Sequence, residues 1–492
     1  MRKVLLYICS VFILGGMTSC EDFLDKREDV GLTEDDIFRD YYSLRGFLDQ
    51  SFNQLENVMV MDNWENGRAF VGLFADEMAT TDNSSAVFTL HSGNWLSNAK
   101  SNKTFEIGNA GSTAISRSYK ALRINNRIIN DIDKAPLTPE QKNEILGQAY
   151  FYRSWFYFQI IKRYGGMPII DKVFEGGDDD IPRMTYHESH DWMMEDIQKA
   201  IYMLPDSWDD PNYGRPTKIA AMALKEWTQL FDASPLMQNN LNSTENKGYD
   251  TERAKSAAKS AYEVIRYMDG SKSAPYPYGL ASKEEYTNVF YFKYPPVHQP
   301  EYIWVKRQFP NAANQNQKRT IRTFWQYEDL AFGSGPDGNS MCCPSLNIVN
   351  MFDKKGADGI YYPIDDPRSG YALDYDHKPF EDRDPRFYNN ILLPGTTWGH
   401  YADGRTYYIT TYKGGAAYQH MLTQKDCNKR MFTGFMCKKF MWPECNQYLE
   451  KNNPNCWWDY RFLTIYIRAS QIYLDYAEAL FEGCGSATAT IE

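Results

Sequence analysis

The sequence predicts a mostly helical protein, in which tetratricopeptide-like helical hairpins form a superhelical frame and a loop-rich region contains small β-hairpins. Two observations lead to this prediction. In the first half of the chain, apolar residues recur at helical spacing, in segments separated by short turns that contain Pro or Gly. From about residue 270, Pro, Gly, Asn and aromatic residues dominate and the helical periodicity fades.

Five helices are predicted in the first half of the chain, and they share apolar periodicity with a Pro or Gly at or near their ends. They cover about residues 112–132, 140–164, 187–203, 217–232 and 251–268. The second helix is apolar on almost every side, so we expect it to be buried with Trp155, and we also expect Trp227 in the core. The fragment LGQAY (146–150) matches the L-G-x-x-Y part of a tetratricopeptide repeat, although the later positions of the repeat do not fit this register.

The second half is predicted to consist of long loops with short strands. The runs YIWVKRQF (302–309) and RTYYIT (405–410) are candidate strands, and residues 464–482 are predicted to form a final helix. Long ordered loops in a compact protein usually carry function. We therefore expect residues 271–460 to contain the ligand-binding region.

The N-terminus has the layout of a secretory signal peptide. Arg2 and Lys3 precede an apolar run at residues 4–14, small residues follow, and the next residue is Cys20. A cysteine at this position can be acylated and become the new N-terminus, which predicts a lipoprotein held in a membrane by its acyl chains. Met17 stands where such sequences usually have leucine. The alternative is an ordinary signal peptide followed by an incidental cysteine.

Composition limits the classes of partner. A net charge of −11 argues against nucleic acid or an anionic membrane surface. The chain contains 36 Tyr, 27 Phe and 12 Trp, more tyrosine than a core easily satisfies, so we expect some Tyr and Trp on a recognition surface.

Cysteine usage leaves the redox state open. With Cys9 removed and Cys20 acylated, seven of the nine cysteines remain, an odd number, so we expect at least one to be free or bonded outside the chain. Four of them cluster without a C-x-x-C pair, which argues against a structural zinc site and leaves disulfides or buried thiols as alternatives. These four are Cys427, Cys437, Cys445 and Cys456.

Six segments follow one another in a recognisable order. They are CEDFLD (20–25), GQAYFYRSWFYFQIIKRYGGMPII (147–170), EDIQKAIYMLP (195–205), GRPTKIAAMALKEWTQLFDASP (214–235), EDRDPRF (381–387) and RASQIYLDYAEAL (468–480). Together they resemble the SusD/RagB family of nutrient-binding lipoproteins of the Bacteroidetes outer membrane. The chain departs from the family pattern after residue 480, where the family continues with a further helix pair, so the last helix is expected to belong to an incomplete C-terminal region.

The resemblance implies a role without catalysis and without a cofactor. Members bind an oligosaccharide, or in some cases a peptide, at the cell surface and pass it to a SusC-like TonB-dependent transporter. The acidic residues after Cys20 resemble the signal that sends a lipoprotein to the outer face of the outer membrane. The implied division is a signal peptide (1–19), a lipidated tether (20–45), a helical frame (46–270), a loop-rich ligand-binding region (271–460) and an incomplete C-terminal helix (461–492).

The candidate ligand-binding residues are aromatic side chains beside amide or acid groups, because a glycan presents C–H faces for stacking and hydroxyl groups for charge-assisted hydrogen bonds. For each of them, a tryptophan that only packs in the core is the alternative interpretation. The candidates are Asn94 with Trp95, Trp325 with Tyr327, Trp64, and after these Trp398.

Other chemistries are weaker alternatives. Asp76–Glu77, or Asp382 with Asp384, could form an acid/base pair for glycoside hydrolysis, but chance pairs are expected among 64 acidic residues. The resemblance instead implies a structural role for the Asp-Arg-Asp-Pro segment, in which Arg383 and Arg386 would tie a loop by fork-like bonds to carboxylates.

Metal sites are not expected. The acidic run at residues 178–180 lacks the alternating spacing of an EF-hand loop and favours a solvated turn. His187 and His190 are three residues apart at a helix start, where surface histidines are the expected interpretation. A peptide-binding member of the same architecture, a glycoside hydrolase and a helical-repeat scaffold without ligand remain as alternative functions.

Overall fold

The computed structural model describes residues 33–55, 75–79, 114–174, 180–238, 247–273, 277–290, 299–307, 343–372, 379–400, 406–415, 433–439 and 463–490. Within these ranges the helices, numbered in chain order, are α1 Glu34–Phe38, α2 Tyr41–Gln54, α3 Ala114–Asp131, α4 Pro139–Tyr164, α5 Tyr186–Met203, α6 Lys218–Ala233, α7 Pro235–Gln238, α8 Thr251–Gly270, α9 Leu346–Met351, α10 Pro385–Asn390 and α11 Ala469–Cys484.

The strands in the same ranges are short. They are β1 Met78–Ala79, β2 Tyr302–Arg307, β3 Cys343–Pro344, β4 Lys354–Lys355, β5 Tyr361–Tyr362, β6 Ile391–Leu392, β7 Thr397–His400, β8 Thr406–Tyr408, β9 Met436–Cys437 and β10 Leu463–Arg468. They form antiparallel two-stranded ladders that pair β1 with β3, β2 with β10, β4 with β5, β6 with β9, and β7 with β8.

The helical frame is a consecutive stack. Neighbouring helices in the series α2, α3, α4, α5, α6, α8 and α11 pack on each other. Helix α11 also contacts α6. This mostly helical architecture, with stacked helical hairpins in the frame and short paired strands in the second half, confirms the predicted fold class. The five predicted helices correspond to α3, α4, α5, α6 and α8, with ends displaced by at most two residues.

Local sequence signals explain these helix ends. Thr138 and Thr185 each cap a helix in a capping box with the residue three positions later, Gln141 and Glu188. Helix α4 ends at Tyr164, and its C-cap Gly165 has a φ of 78° that favours glycine. A Cβ atom on Gly166 would collide with the carbonyl oxygen of Met184. The glycine pair is therefore required to turn the chain back onto the frame.

The core is centred on α4, which is buried along most of its length. Trp304 of β2 enters this core, with its ring centroid 4.8 Å from that of Phe151 and 4.7 Å from that of Trp155, both edge to face. Trp155 is buried as predicted, and Trp227 packs against it at 5.8 Å while remaining half-buried. The helical frame and the β2–β10 ladder therefore share one aromatic core.

The predicted final helix was partly wrong. Residues 463–468 form β10, which pairs antiparallel with β2, and the helix begins only at Ala469. The run LTIYIR is rich in β-branched and aromatic residues that pair well across strands, and the available edge of β2 favours the extended form. The predicted strands at 302–309 and 405–410 are present as β2 and β8.

Several tyrosine hydroxyl groups join helices to distant carboxylates. Tyr41 donates to Glu144 at 2.7 Å, Tyr249 to Glu478 at 2.7 Å, and Tyr267 to Asp206 at 2.6 Å. These hydrogen bonds give part of the tyrosine surplus a structural role rather than a recognition role.

The prediction that His187 and His190 are surface residues was wrong for His190, which is buried. The Nδ1 atoms of both rings face Asp232 of α6, at 2.7 Å for His187 and 3.4 Å for His190, and Arg253 of α8 contacts the same carboxylate. The buried Asp232 explains this arrangement, because an ionised carboxylate away from water needs donors.

Candidate ligand-binding site

Apart from Trp398, the predicted ligand-binding residues lie outside the described residues. Trp64 falls in the segment 56–74, Asn94 and Trp95 in the segment 80–113, and Trp325 and Tyr327 in the segment 308–342. Cys20 also lies outside the described residues. The structure does describe the chain on both sides of these segments, and those flanking residues meet at two places.

The first place, the β1–β3 junction, consists of residues 76–79 and 343–345. Ala79, which precedes segment 80–113, pairs with Cys343, which follows segment 308–342. The Ser345 amide donates to the Glu77 carbonyl oxygen at 2.9 Å, and the Ser345 hydroxyl group donates to the carbonyl oxygen of Asp76. Paired residues of an antiparallel ladder lie about 5 Å apart, so the described residues that flank these two segments are neighbours.

The second place, the frame junction, consists of Leu55, Arg117 and Lys306. Lys306 Nζ donates to the Leu55 carbonyl oxygen at 2.9 Å and lies 5.4 Å from the centroid of the Phe52 ring. Burial, followed by the charge of the nearby Arg117 guanidinium, lowers the pKa of Lys306 to about 7. Lys306 therefore holds the end of α2 against β2, with Arg117 of the first turn of α3 nearby.

The two junctions bound all three segments. Segment 56–74 connects Leu55 to residue 75, just before β1. Segment 80–113 connects β1 to α3, and segment 308–342 connects β2 to β3. Each segment therefore has one end at the frame junction and the other at the β1–β3 junction. Sequence reasoning missed Lys306, although a lone lysine in the apolar run YIWVK is the signal that could have found it.

The Asp-Arg-Asp-Pro segment supports the neighbouring loops, but only one of its two arginines has the predicted kind of partner. Arg383, which is buried, donates from Nη2 to the carbonyl oxygens of Val349 at 2.7 Å and Phe352 at 2.6 Å, and from Nη1 to that of Pro379 at 3.2 Å. The prediction of a carboxylate partner was wrong for Arg383 and is confirmed for Arg386. The reason is that the C-terminal end of α9 leaves backbone carbonyl groups without partners inside the helix, and these need donors when buried.

Asp382 and Asp384, the second of the two acid pairs considered for hydrolysis, both make structural contacts. Arg386 forms a bidentate pair with Asp384, at 3.0 Å from Nε to Oδ1 and 2.6 Å from Nη2 to Oδ2, and this bond lowers the pKa of Asp384. The carbonyl oxygen of Asp382 accepts from the Lys355 amide at 2.7 Å. A general acid needs a raised pKa, so this geometry does not favour a hydrolytic role for Asp384.

A cation–aromatic cluster joins the loop-rich half to the frame. Lys439, next to β9, lies 4.2 Å from the centroid of the Phe290 ring, and Arg468, at the end of β10, lies 4.8 Å from the same centroid. Arg468 also pairs with Glu301 at 3.4 Å. Burial lowers the pKa of Lys439 and raises the pKa of the Cys437 thiol to about 12. Cys427, Cys445 and Cys456 lie outside the described residues.

Exposed tyrosine side chains occur on the same half of the chain. Tyr361, Tyr408 and Tyr412 each expose at least two fifths of their surface. Trp398 lies in β7, whose Thr397 pairs with Tyr408. Among the described residues, no group of three or more His, Cys, Asp or Glu side chains is arranged to hold a metal ion.

Comparison with known families decides the classification. The model of a family described as "Starch-binding associating with outer membrane" matches residues 22–226, and the model described as "SusD family" matches residues 300–491. The two matches do not overlap and together span most of the chain. The chain belongs to the SusD/RagB family. The predicted resemblance is therefore confirmed.

Solved structures of other SusD-like proteins share the fold. A SusD-like protein from Bacteroides fragilis is 20% identical with a TM-score of 0.64, covering 93% of this chain and 78% of its own. A laminarin-binding SusD-like protein is 17% identical with a TM-score of 0.51, covering 89% and 79%. A structure solved with a xylogluco-oligosaccharide is 17% identical with a TM-score of 0.54, covering 88% and 71%. No curated protein sequence matches the chain.

Proposed function

We propose that this SusD-family protein binds oligosaccharides through aromatic side chains on the three segments that run between the two junctions. The observation that carries the proposal is that Trp64, Trp95 and Trp325 lie on segments with the same pair of end points. Asn94 and Tyr327 would add polar groups to the same site. Stacking on aromatic planes beside amide groups suits a sugar ring with its C–H faces and hydroxyl edges.

Two kinds of similarity support an oligosaccharide as the ligand. One family model carries the description "Starch-binding", and similar folds include a laminarin-binding protein and one solved with a xylogluco-oligosaccharide. In this proposal the protein delivers its ligand to a SusC-like TonB-dependent transporter and does not change the ligand chemically. The ligand-binding part would be the loop-rich region 271–460 together with the segments that leave the frame 46–270.

The binding proposal is tested by titrating the purified protein with laminarin, xylogluco-oligosaccharides and a peptide pool. We expect saturable binding of at least one glycan with a Kd between about 1 µM and 1 mM, equivalent to about −8 to −4 kcal/mol. The glycan should be recovered unchanged, because no hydrolysis is proposed. Preference for peptides would support the peptide-binding alternative, and release of reducing sugar would support the hydrolase alternative.

The location proposal concerns the N-terminus. Residues 1–19 would be removed as a signal peptide, and acylated Cys20 would hold the protein in the outer membrane, with residues 20–45 as a tether. Among the described residues, no helix is long and apolar enough to cross a membrane. We expect Cys20→Ser to move the protein from the membrane fraction to the soluble fraction, measured by fractionation and external protease. Retention of this variant in the membrane would contradict the anchor.

A further inference from the structure

Two buried carboxyl groups face each other where α6 meets α11. Glu226 of α6 is 1% exposed and Asp475 of α11 is 5% exposed. One turn further along both helices, Leu230 of α6 packs with Ala479 and Leu480 of α11. The two carboxyl groups therefore occupy equivalent positions one turn earlier in the same helix contact, and they are close enough to hydrogen-bond.

The surroundings supply this pair with few donors. Gln471 Nε2 donates to Asp475 Oδ1 at 2.6 Å. Apart from the contact between the two carboxyl groups, Asp475 Oδ2 and both oxygens of Glu226 have no hydrogen-bond partner among the described residues. Ionised carboxylates can only accept, so a hydrogen bond between the two requires a proton on one of them. Burial, followed by the neighbouring Asp475, raises the pKa of Glu226, and burial raises the pKa of Asp475 to about 6.

We propose that Glu226 and Asp475 share a proton that fastens α11 to α6, so that the attachment of α11 to the frame depends on pH. Two ionised carboxylates in this apolar contact would repel each other and lack donors, which would weaken the contact. This role is independent of the ligand-binding site, because the pair lies inside the helical frame.

Other charged side chains on the helices packed against this pair have partners of their own or lie at the surface. Lys259 and Arg266 of α8 are exposed. The paired groups are Lys225 with Glu263, Lys255 with Glu252, Arg468 with Glu301, Glu478 with the Tyr249 hydroxyl group, and Lys162 over the Trp227 ring. Among these, Glu478 acts on the pair, because its negative charge adds to the effect of burial in raising the pKa of Asp475.

A second titratable cluster lies nearer the C-terminal end of α6. His187 and His190 of α5 and Arg253 of α8 surround Asp232 there. Glu226 precedes Asp232 by six residues, about 9 Å along a helix that rises 1.5 Å per residue. A test of the proposal must therefore compare variants of the carboxyl pair with the unchanged protein at each pH.

The sign of the pH dependence follows from the raised pKa values. The unfolded chain loses these protons near pH 4, whereas the folded chain keeps them to higher pH, to about 6 for Asp475. The stabilisation is therefore fully present below about pH 4 and is lost as the pH rises through 6 and beyond.

The experiment compares the wild-type protein with Glu226→Gln by thermal unfolding between pH 5 and pH 9. Glutamine keeps the shape and offers Asp475 an N–H donor at every pH. We expect the Tm of the wild type to fall relative to Glu226→Gln by roughly 2 °C or more as the pH rises. Infrared spectra should show the carbonyl stretch of a protonated carboxylic acid at neutral pH in the wild type and not in Glu226→Gln.

Two further variants and one cation complete the test. Asp475→Asn should also flatten the pH dependence, whereas Glu263→Gln, which removes the same charge from an exposed pair, should leave it unchanged. Parallel Tm curves for the wild type and Glu226→Gln would overturn the proposal. It would also be overturned if Ca²⁺ raised the Tm of the wild type but not of Glu226→Gln, because the pair would then bind a cation rather than share a proton.

Discussion

Replacing Asp196 with alanine is expected to lower the free energy of unfolding by about 3–5 kcal/mol. Asp196 of α5 accepts two hydrogen bonds from Arg153 of α4, at 2.5 Å from Nε and 2.8 Å from Nη2, and both side chains are buried. The third nitrogen, Nη1, donates to Asn126 of α3 at 3.0 Å. The variant would leave the guanidinium group charged, buried and bonded to a neutral amide alone. Urea unfolding monitored by far-ultraviolet circular dichroism measures the loss.

A matched variant compares the loss of this buried ion pair with the loss of an exposed one. Glu263→Ala removes an exposed partner of Lys225, and an exposed ion pair contributes about 0–1 kcal/mol. Adding Arg153→Met to Asp196→Ala should recover part of the lost stability, because the unpaired buried charge is removed. Equal losses for Asp196→Ala and Glu263→Ala would contradict the view that this buried pair joins three helices of the frame.

Replacing Arg383 with methionine is expected to unfold the loop-rich half locally while the frame stays folded. The carbonyl oxygens of Val349, Phe352 and Pro379 would lose their donor, and each unsatisfied buried polar group costs about 1–3 kcal/mol. The local loss is therefore about 3 kcal/mol or more. Hydrogen exchange should accelerate in β4, β6 and α10 and remain slow in α4, which lies in the frame.

Arg386→Met is the control for Arg383→Met, since it makes the same change three residues further along. Arg386 is exposed and bonds Asp384, the N-cap of its own short helix, so its loss should change hydrogen exchange little. Equal acceleration in the two variants would show that the loop-rich half does not depend on the buried guanidinium group.

The sequence predicted the frame well because helix signals are local. Capping residues such as Thr138 and Thr185, the glycine pair after α4, and apolar periodicity each act within a few residues. The sequence-based prediction was wrong where a residue far away in sequence determined the local structure. Residues 463–468 became a strand because β2 offered an edge, and His190 became buried because Asp232 of another helix needs donors.

The candidate site was less predictable for the same reason. Aromatic and polar residues in loops have no periodicity, so the sequence around Trp95 or Trp325 does not indicate which residues lie near these side chains in the fold. The pairing of Ala79 with Cys343 and the bond from Lys306 to Leu55 are contacts between residues far apart in sequence. These contacts, rather than any motif, relate the three candidate segments to one another.

The most direct test of this account is a double-mutant cycle on Trp95 and Trp325, measured by calorimetric titration with a glycan that the wild type binds. We expect each alanine variant to weaken binding about tenfold or more, equivalent to about 1.4 kcal/mol, with one site per chain. If both side chains contact one ligand in one site, the cycle should give an interaction energy of about 0.5–3 kcal/mol. Unchanged affinity in both single variants, with thermal stability preserved, would contradict the proposed site.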